Sequence, residues 1–253
     1  MSKRLRILAG PNGSGKSSVY RTLKQNKDFH WGIFVNADEM EMQLRERRFI
    51  DLAQYGLNVF AWEEFKANYG AFVDEKQGIC PVSNLLYVDN RIIVIKPELV
   101  DSYVACKLAE FIRYGLLNTK KDVTFTCETV MSHESKLDFM REARKKGFRV
   151  YLYFVSTSSP EINVGRVATR VQEGGHGVAE EKIRSRYVRS LANLHKAILL
   201  SDRAYIFDNS ESKYRWVAEY DGSTGELTFK NDEIPNWVAQ YALGQGDNKQ
   251  QIN

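Results

Sequence analysis

The sequence is poor in residues that staple or ligate. Among its 253 residues stand three cysteines, Cys80, Cys106 and Cys127, far apart and with no C-x-x-C spacing. That excludes a disulfide framework and a cysteine-based metal site, and leaves free thiols of a reducing compartment, each expected to serve as a small buried hydrophobe. The four histidines, His30, His133, His176 and His195, form no H-E-x-x-H pair, which excludes a zincin-type centre. No apolar run approaches the ~20 residues that cross a bilayer, and the opening Met-Ser-Lys-Arg leads into a strand, not a secretory apolar region. A cytoplasmic chain without a membrane segment is therefore expected. Repeats and low-complexity tracts are absent. The formal charge is only +4, and lysines and arginines do not form a stripe with interleaved aromatics, so nucleic acid is not an expected partner. At 43% hydrophobic and 27% charged residues, the composition is that of an ordinary globular protein.

What the chain does have, ten residues in, is Gly10-Pro11-Asn12-Gly13-Ser14-Gly15-Lys16-Ser17. This is a complete G-x-x-x-x-G-K-S phosphate-binding loop. Arg4 to Ala9 reads as the buried strand before it, and Ser18 to Gln25 as the helix after it. Backbone N–H groups of the loop from Gly10 to Ser18, all but Pro11, are expected to converge on phosphate oxygens, and the helix N-terminus adds partial positive charge. Lys16 reaches the β- and γ-phosphates, and the Ser17 hydroxyl ligates Mg²⁺. ATP and Mg²⁺ are the expected cofactors.

Strands then alternate with helices, which predicts an α/β fold with a parallel sheet flanked by helices, of the P-loop NTPase type. Strands are expected at 31–35, 122–127, 149–155 and 204–208, and helices at 39–48, 133–146, 160–173 and, as one long element, 180–200. The expectation is a single domain, 1–253. Within it lies an aromatic-rich insert at about 50–100, carrying Tyr55, Phe60, Trp62, Phe65, Tyr69 and Phe72 as a satellite core, with a hairpin turning at Asp89-Asn90. A second hairpin and a short helix occupy about 214–243, followed by a polar end expected to fray.

Asp38 follows the second strand. In open parallel sheets the ligand crevice lies at the C-terminal strand ends. A carboxylate there can take the proton of an attacking hydroxyl, or it can cap the next helix. Asn36 belongs to the same turn. Glu128 and Thr129 end the next strand, where they can contact substrate hydroxyls or, through water, Mg²⁺. Arg166 and Arg170 are four residues apart and share a helix face. With Arg184 or Arg186, of which at most one is expected to join them, they flank Gly174-Gly175-His176-Gly177. Such an arrangement suits a lid that brings guanidinium groups onto a transferring phosphoryl group.

These pieces together resemble the zeta-toxin family of P-loop kinases. The matching residues are Ala9 to Ser17, Val35 to Asp38, Phe125 to Thr129, Gly147 to Leu152, and the run from Arg166 to Ser210. The resemblance implies transfer of the γ-phosphate of ATP to a sugar hydroxyl of a UDP-N-acetyl sugar, a product that blocks cell-wall precursor synthesis, and it implies an antitoxin partner. It assigns Asp38 as base, Glu128 to substrate and Arg166, as one lid arginine, to the transferring phosphate, and leaves open which of Arg170, Arg184 and Arg186 supplies the others. The expected site is Lys16, Asp38, Arg166, Arg170 and Arg186 for catalysis, with Asn36, Asp38, Glu128 and Thr129 toward substrate. A polynucleotide end kinase and a nucleotide-binding regulatory switch stand as the alternatives.

Overall fold

The computed structural model describes residues 3–26, 29–57, 62–74, 79–175 and 177–244. Phe60, His176 and the end beyond 244 lie outside them. In chain order the elements are β1 (Arg4–Ala9), α1 (Lys16–Lys24), β2 (Ile33–Val35), α2 (Ala37–Arg47), β3 (Phe49–Asp51), α3 (Trp62–Asp74), β4 (Leu85–Val88), β5 (Arg91–Val94), α4 (Ser102–Asn118) and β6 (Thr124–Thr129). There follow α5 (Ser135–Lys145), β7 (Arg149–Ser156), α6 (Pro160–Gln172), α7 (Glu180–Ala192), α8 (Leu194–Leu199), β8 (Arg203–Asp208), β9 (Arg215–Asp221), β10 (Glu226–Phe229) and α9 (Asn236–Tyr241). The described residues gather into two compact units, one of Met1–Gly32 with Thr126–Asn253, the other of Ile33–Phe125.

In the first unit the strands run in the order β10-β9-β8-β7-β1-β6. β1 pairs with β7 in parallel, from Arg4 beside Arg149 to Ala9 beside Phe154. β7 pairs with β8 in parallel, whereas β9 and β10 extend the sheet antiparallel as the expected C-terminal hairpin. Val150, Leu152, Phe154 and Val155 of β7 are fully buried, as the near-continuous apolar run of a central parallel strand requires. Helices α5 and α8 pack on β7. The long helix expected at 180–200 is two helices. The chain breaks at Asn193, whose side-chain amide turns away to donate to Met131 O at 2.9 Å. A helix-poor residue with a side-chain partner outside the helix accounts for the break.

In the second unit α2 packs on α4, and β3-β5-β4 form a small antiparallel sheet. The β4–β5 hairpin turns at Asp89 and Asn90, with φ of 49° and 62°, the left-handed pair of a type I′ turn. The aromatic cluster is present as a satellite core. The Phe65 ring stacks on that of Tyr69 at 5.6 Å and meets that of Phe111 at 4.7 Å, joining α3 to α4. Beside them lies a cavity of about 770 Å³ that Asn68, Tyr114 and Asn118 also line. Cys80 and Cys127 are buried as expected, but Cys106 is exposed, because its neighbours Ala105, Leu108 and Ala109 supply the buried stripe of α4. No helix among the described residues is long and apolar enough to cross a membrane.

Leu152 is fully buried in the middle of β7, so Leu152→Ala is expected to lower unfolding free energy by about 2–5 kcal/mol. Chemical denaturation of variant and parent measures this; a cost below about 1 kcal/mol would show that β7 is not the core strand.

Candidate phosphate-binding active site

The loop between β1 and α1 is shaped by what presses on it. A Cβ on Gly13 would stand 2.5 Å from the Asn163 carbonyl oxygen, and one on Gly15 would stand 2.1 Å from Asn209 Nδ2. Both glycines also have positive φ, 76° and 88°. No side chain fits at either position. Gly15 caps α1, so Lys16 and Ser17 open the helix at its partially positive end.

Lys16 is 7% exposed. Its Nζ donates to Gly10 O and to Pro11 O, each at 3.0 Å, and lies 3.7 Å from Glu128 Oε1. Ser17 Oγ donates to Glu128 Oε2 at 3.4 Å. The end of β6 thus brings a carboxylate to both functional side chains of the loop. Ser14 Oγ and Asn163 Nδ2 are buried beside the loop with no hydrogen-bond partner, the kind of orphaned donor that a phosphate oxygen satisfies. Among the described residues no group of three His, Cys, Asp or Glu is arranged for a metal. A cation there would rest on the Ser17 hydroxyl, Glu128 and the phosphates, and this hard-oxygen donor set suits Mg²⁺.

The sequence-predicted arginines divide. Arg166 Nη1 donates to Asn209 O at 2.7 Å and Nη2 to Glu211 O at 3.1 Å. Asn209 Nδ2 in turn donates to Ser14 O at 2.8 Å, so Arg166 is one residue removed from the loop. Arg186 Nη1 reaches Asn12 Oδ1 at 3.4 Å. Arg170 is exposed near the end of α6, with its stem against Gly175. Arg184 is held by Glu161 at 2.5 Å and Glu180 at 2.8 Å. The first-named of these contacts pulls the Glu161 carboxyl well below its ordinary range, to about 2. Gly174 and Gly175 close α6 through bonds to Val171 O and Arg170 O. The described start of the segment after α6, Gly174 and Gly175, is thus the cap of that helix.

Thr129 Oγ1 accepts from Met131 N at 3.2 Å and shapes the turn after β6. In the second unit Asn36 is the cap of α2, accepting from Asp38 N at 2.8 Å. The capping alternative for Asp38 therefore falls to Asn36. Asp38 itself occupies the first turn, beside the helix N-terminus.

Sequence reasoning missed Asn163. It is fully buried, with Oδ1 accepting from Thr157 Oγ1 at 2.5 Å. The Thr157 carbonyl also accepts from Tyr187 Oη at 2.6 Å, and burial pushes the Tyr187 phenol up to about 12. The available signal was a lone amide, Ile162-Asn163-Val164, in the first turn of an amphipathic helix. Asn209 was visible only as part of a strand-ending Asp-Asn-Ser.

No known family model matches the chain. An uncharacterised protein of Haemophilus influenzae is 31% identical over 91 residues, which is 36% of this chain and 63% of that protein. Among solved structures, the native complex of AvrRxo1-ORF1 with ORF2 aligns over 95% of this chain and 64% of the matched one, with 16% identity and a TM-score of 0.56. The same complex with ATP aligns over the same shares at 15% identity and a TM-score of 0.53. The PezAT toxin–antitoxin structure of Streptococcus pneumoniae aligns at 13% identity over 96% of this chain and 80% of that one, with a TM-score of 0.48. The chain thus spans a little under two thirds of the length of the Haemophilus relative and of the AvrRxo1 chain. The likeness to the AvrRxo1-ORF1 structures is one of fold, an α/β fold with a largely parallel sheet flanked by helices, as the motif order implied.

Asn209→Ala removes the amide that holds Ser14 O and the wall against Gly15. A lost hydrogen bond of about 1 kcal/mol or more should weaken binding of an ATP analogue by about fivefold or more, with little change in melting temperature. Calorimetric titration reads the first and thermal denaturation the second; unchanged affinity would show that Asn209 does not support the loop.

Proposed function

We propose that this chain is an ATP-dependent kinase that transfers the γ-phosphate to a hydroxyl of a small molecule, a UDP-N-acetyl sugar, and acts as the toxin of a toxin–antitoxin pair. The observation that carries the reading is that Glu128, from the end of β6, meets Lys16 and Ser17 of the phosphate loop, with Arg166 and Arg186 attached to that loop through Asn209 and Asn12. A structure of the same fold is described as a complex of two proteins, and again as that complex with ATP. These support ATP as donor and a protein partner.

In this reading the loop amides and Lys16 Nζ hold the β- and γ-phosphates. Lys16 exchanges its two carbonyl partners for phosphate oxygens, a stronger charge-assisted pairing. Ser17 and Glu128 would hold Mg²⁺, which neutralises phosphate charge. Asp38 takes the proton of the acceptor hydroxyl as its oxygen attacks the γ-phosphorus. Asn36 sets the Asp38 carboxylate in place by capping α2. Arg166, Arg170 and Arg186 meet the charge that grows on the equatorial oxygens, and ADP leaves. Arg166 gives up its hold on two carbonyls to do so. Arg184 stays in its carboxylate pair and takes no part.

Asp38→Asn keeps size and polarity and removes the base. Binding of the ATP analogue should survive while transfer falls by about two to four decades. Arg166→Ala should depress single-turnover transfer far more than nucleotide affinity, because the charge it meets develops in the transition state. Lys should rescue poorly for want of the planar fork. Equal losses in both quantities would assign Arg166 to ground-state binding only.

The deciding experiment incubates the chain with Mg²⁺-ATP and a panel of UDP-sugars, with an oligonucleotide end as a further acceptor, and follows the mass gain of one phosphate. A phosphorylated UDP-N-acetyl sugar supports the reading. Transfer to the oligonucleotide alone replaces it with an end kinase, and ATP binding with no transfer to anything replaces it with a switch.

A further inference from the structure

At the end of β1 remote from the phosphate loop, Arg4 and Arg6 stand two residues apart and so share a face of the sheet. The parallel register places Arg149 beside Arg4 and Tyr151 beside Arg6, which puts all four side chains on that face. The Arg6 guanidinium lies 4.8 Å from the Tyr151 ring centroid and that of Arg149 lies 5.9 Å from it. One phenol ring thus gathers two arginines.

Arg6 is 5% exposed. Its Nε donates to His30 O at 3.1 Å and its Nη1 to Tyr153 Oη at 2.7 Å, and the rings of Phe29 and Trp31 stand 4.7 and 5.6 Å away. Ring faces and neutral oxygens offset part of the cost of burying its charge, but no described carboxylate pairs with Arg4, Arg6 or Arg149. The contrast lies one strand away. Arg203, in register with Tyr151, is held by Glu219 and Asp221, each at 2.7 Å. Among the described residues the sheet supplies carboxylates to Arg203 and none to the other three. Two buried N–H groups in the same neighbourhood, Arg4 Nε and Trp31 Nε1, have no hydrogen-bond partner. Three adjacent like charges, one of them buried, are held together against repulsion with unspent donors between them.

We infer that Arg4, Arg6 and Arg149 form an oxyanion site for a phosphate group, separate from the phosphate loop. A phosphate offers enough oxygens for more than one guanidinium fork, whereas a carboxylate is filled by one. The six residues from Arg4 to Gly10 put the two sites about 20 Å apart along the strand. The site stands independently of the kinase reading.

The test titrates inorganic phosphate into the full chain by calorimetry while a non-hydrolysable ATP analogue saturates the phosphate loop. A phosphate-binding event that survives the analogue is expected. The double variant Arg4→Gln with Arg149→Gln should weaken it by about tenfold or more and leave affinity for the analogue unchanged. Arg4→Lys with Arg149→Lys keeps charge and stem packing. It should bind phosphate more weakly than the parent, because an ammonium lacks the fork, and it preserves the test if the glutamine variant does not fold. Disappearance of phosphate heat once the analogue is bound would overturn the inference, as would parental phosphate affinity in either double variant. Binding of citrate but not phosphate would also overturn it, by assigning the arginines to carboxylates.

Discussion

Between Asn209 and Ser14, 195 residues apart in the chain, an amide N–H reaches a loop carbonyl across 2.8 Å. The main-chain oxygen of the same asparagine takes the Arg166 guanidinium, and its amide side chain fills the space where Gly15 has no Cβ. The phosphate loop, the turn after β8 and helix α6 are therefore one packed object. Glycine at 13 and 15 is required because other backbone and side-chain atoms already stand where a Cβ would be. A loop whose amides must all face one phosphate cannot afford slack, and here its shape is imposed by neighbours from distant parts of the first unit.

Charge is handled on the same principle. Lys16 is nearly buried, yet its ammonium has two carbonyls and a carboxylate about it, which offset part of the cost of burying its charge. Glu128 serves the ammonium and the Ser17 hydroxyl together, which makes the end of β6 part of the loop's electrostatics. The arginines are similarly parked, Arg166 on carbonyls, Arg186 on an amide oxygen and Arg184 on two carboxylates. A guanidinium on carbonyls is readily exchanged for phosphate, while one between two carboxylates has less to gain. In the proposed reading, the difference in partners, more than position along the helices, separates the arginines free to exchange onto a nucleotide from Arg184.

Much of this was legible beforehand. The strand, loop and helix from Arg4 to Lys24 follow from an apolar run, three glycines and a helix-forming tail, and β7 follows from its unbroken apolar run. The Asp89-Asn90 turn carried its own chemistry, since both residues tolerate the left-handed region. What escaped has a physical reason in each case. The break at Asn193 depends on a carbonyl at Met131, sixty-two residues away. Asn163 reads as an ordinary polar residue until the fold sets its carbonyl against Gly13.

By itself the sequence determined the strand, loop and helix from Arg4 to Lys24, the alternation of strands and helices that makes the parallel sheet, and the C-terminal hairpin. Those depend on local spacing and on periodicity, which are properties of neighbours in the chain. Only the tertiary structure decided that Glu128 joins Lys16 and Ser17, that Asn36 rather than Asp38 caps α2, that Asn209 carries both Arg166 and Ser14, and that Arg6 and Arg149 meet at the Tyr151 ring. Those depend on sheet register and on helix packing, where a shift of one residue turns a side chain to the opposite face, and no local pattern in the chain encodes which distant partner it will meet.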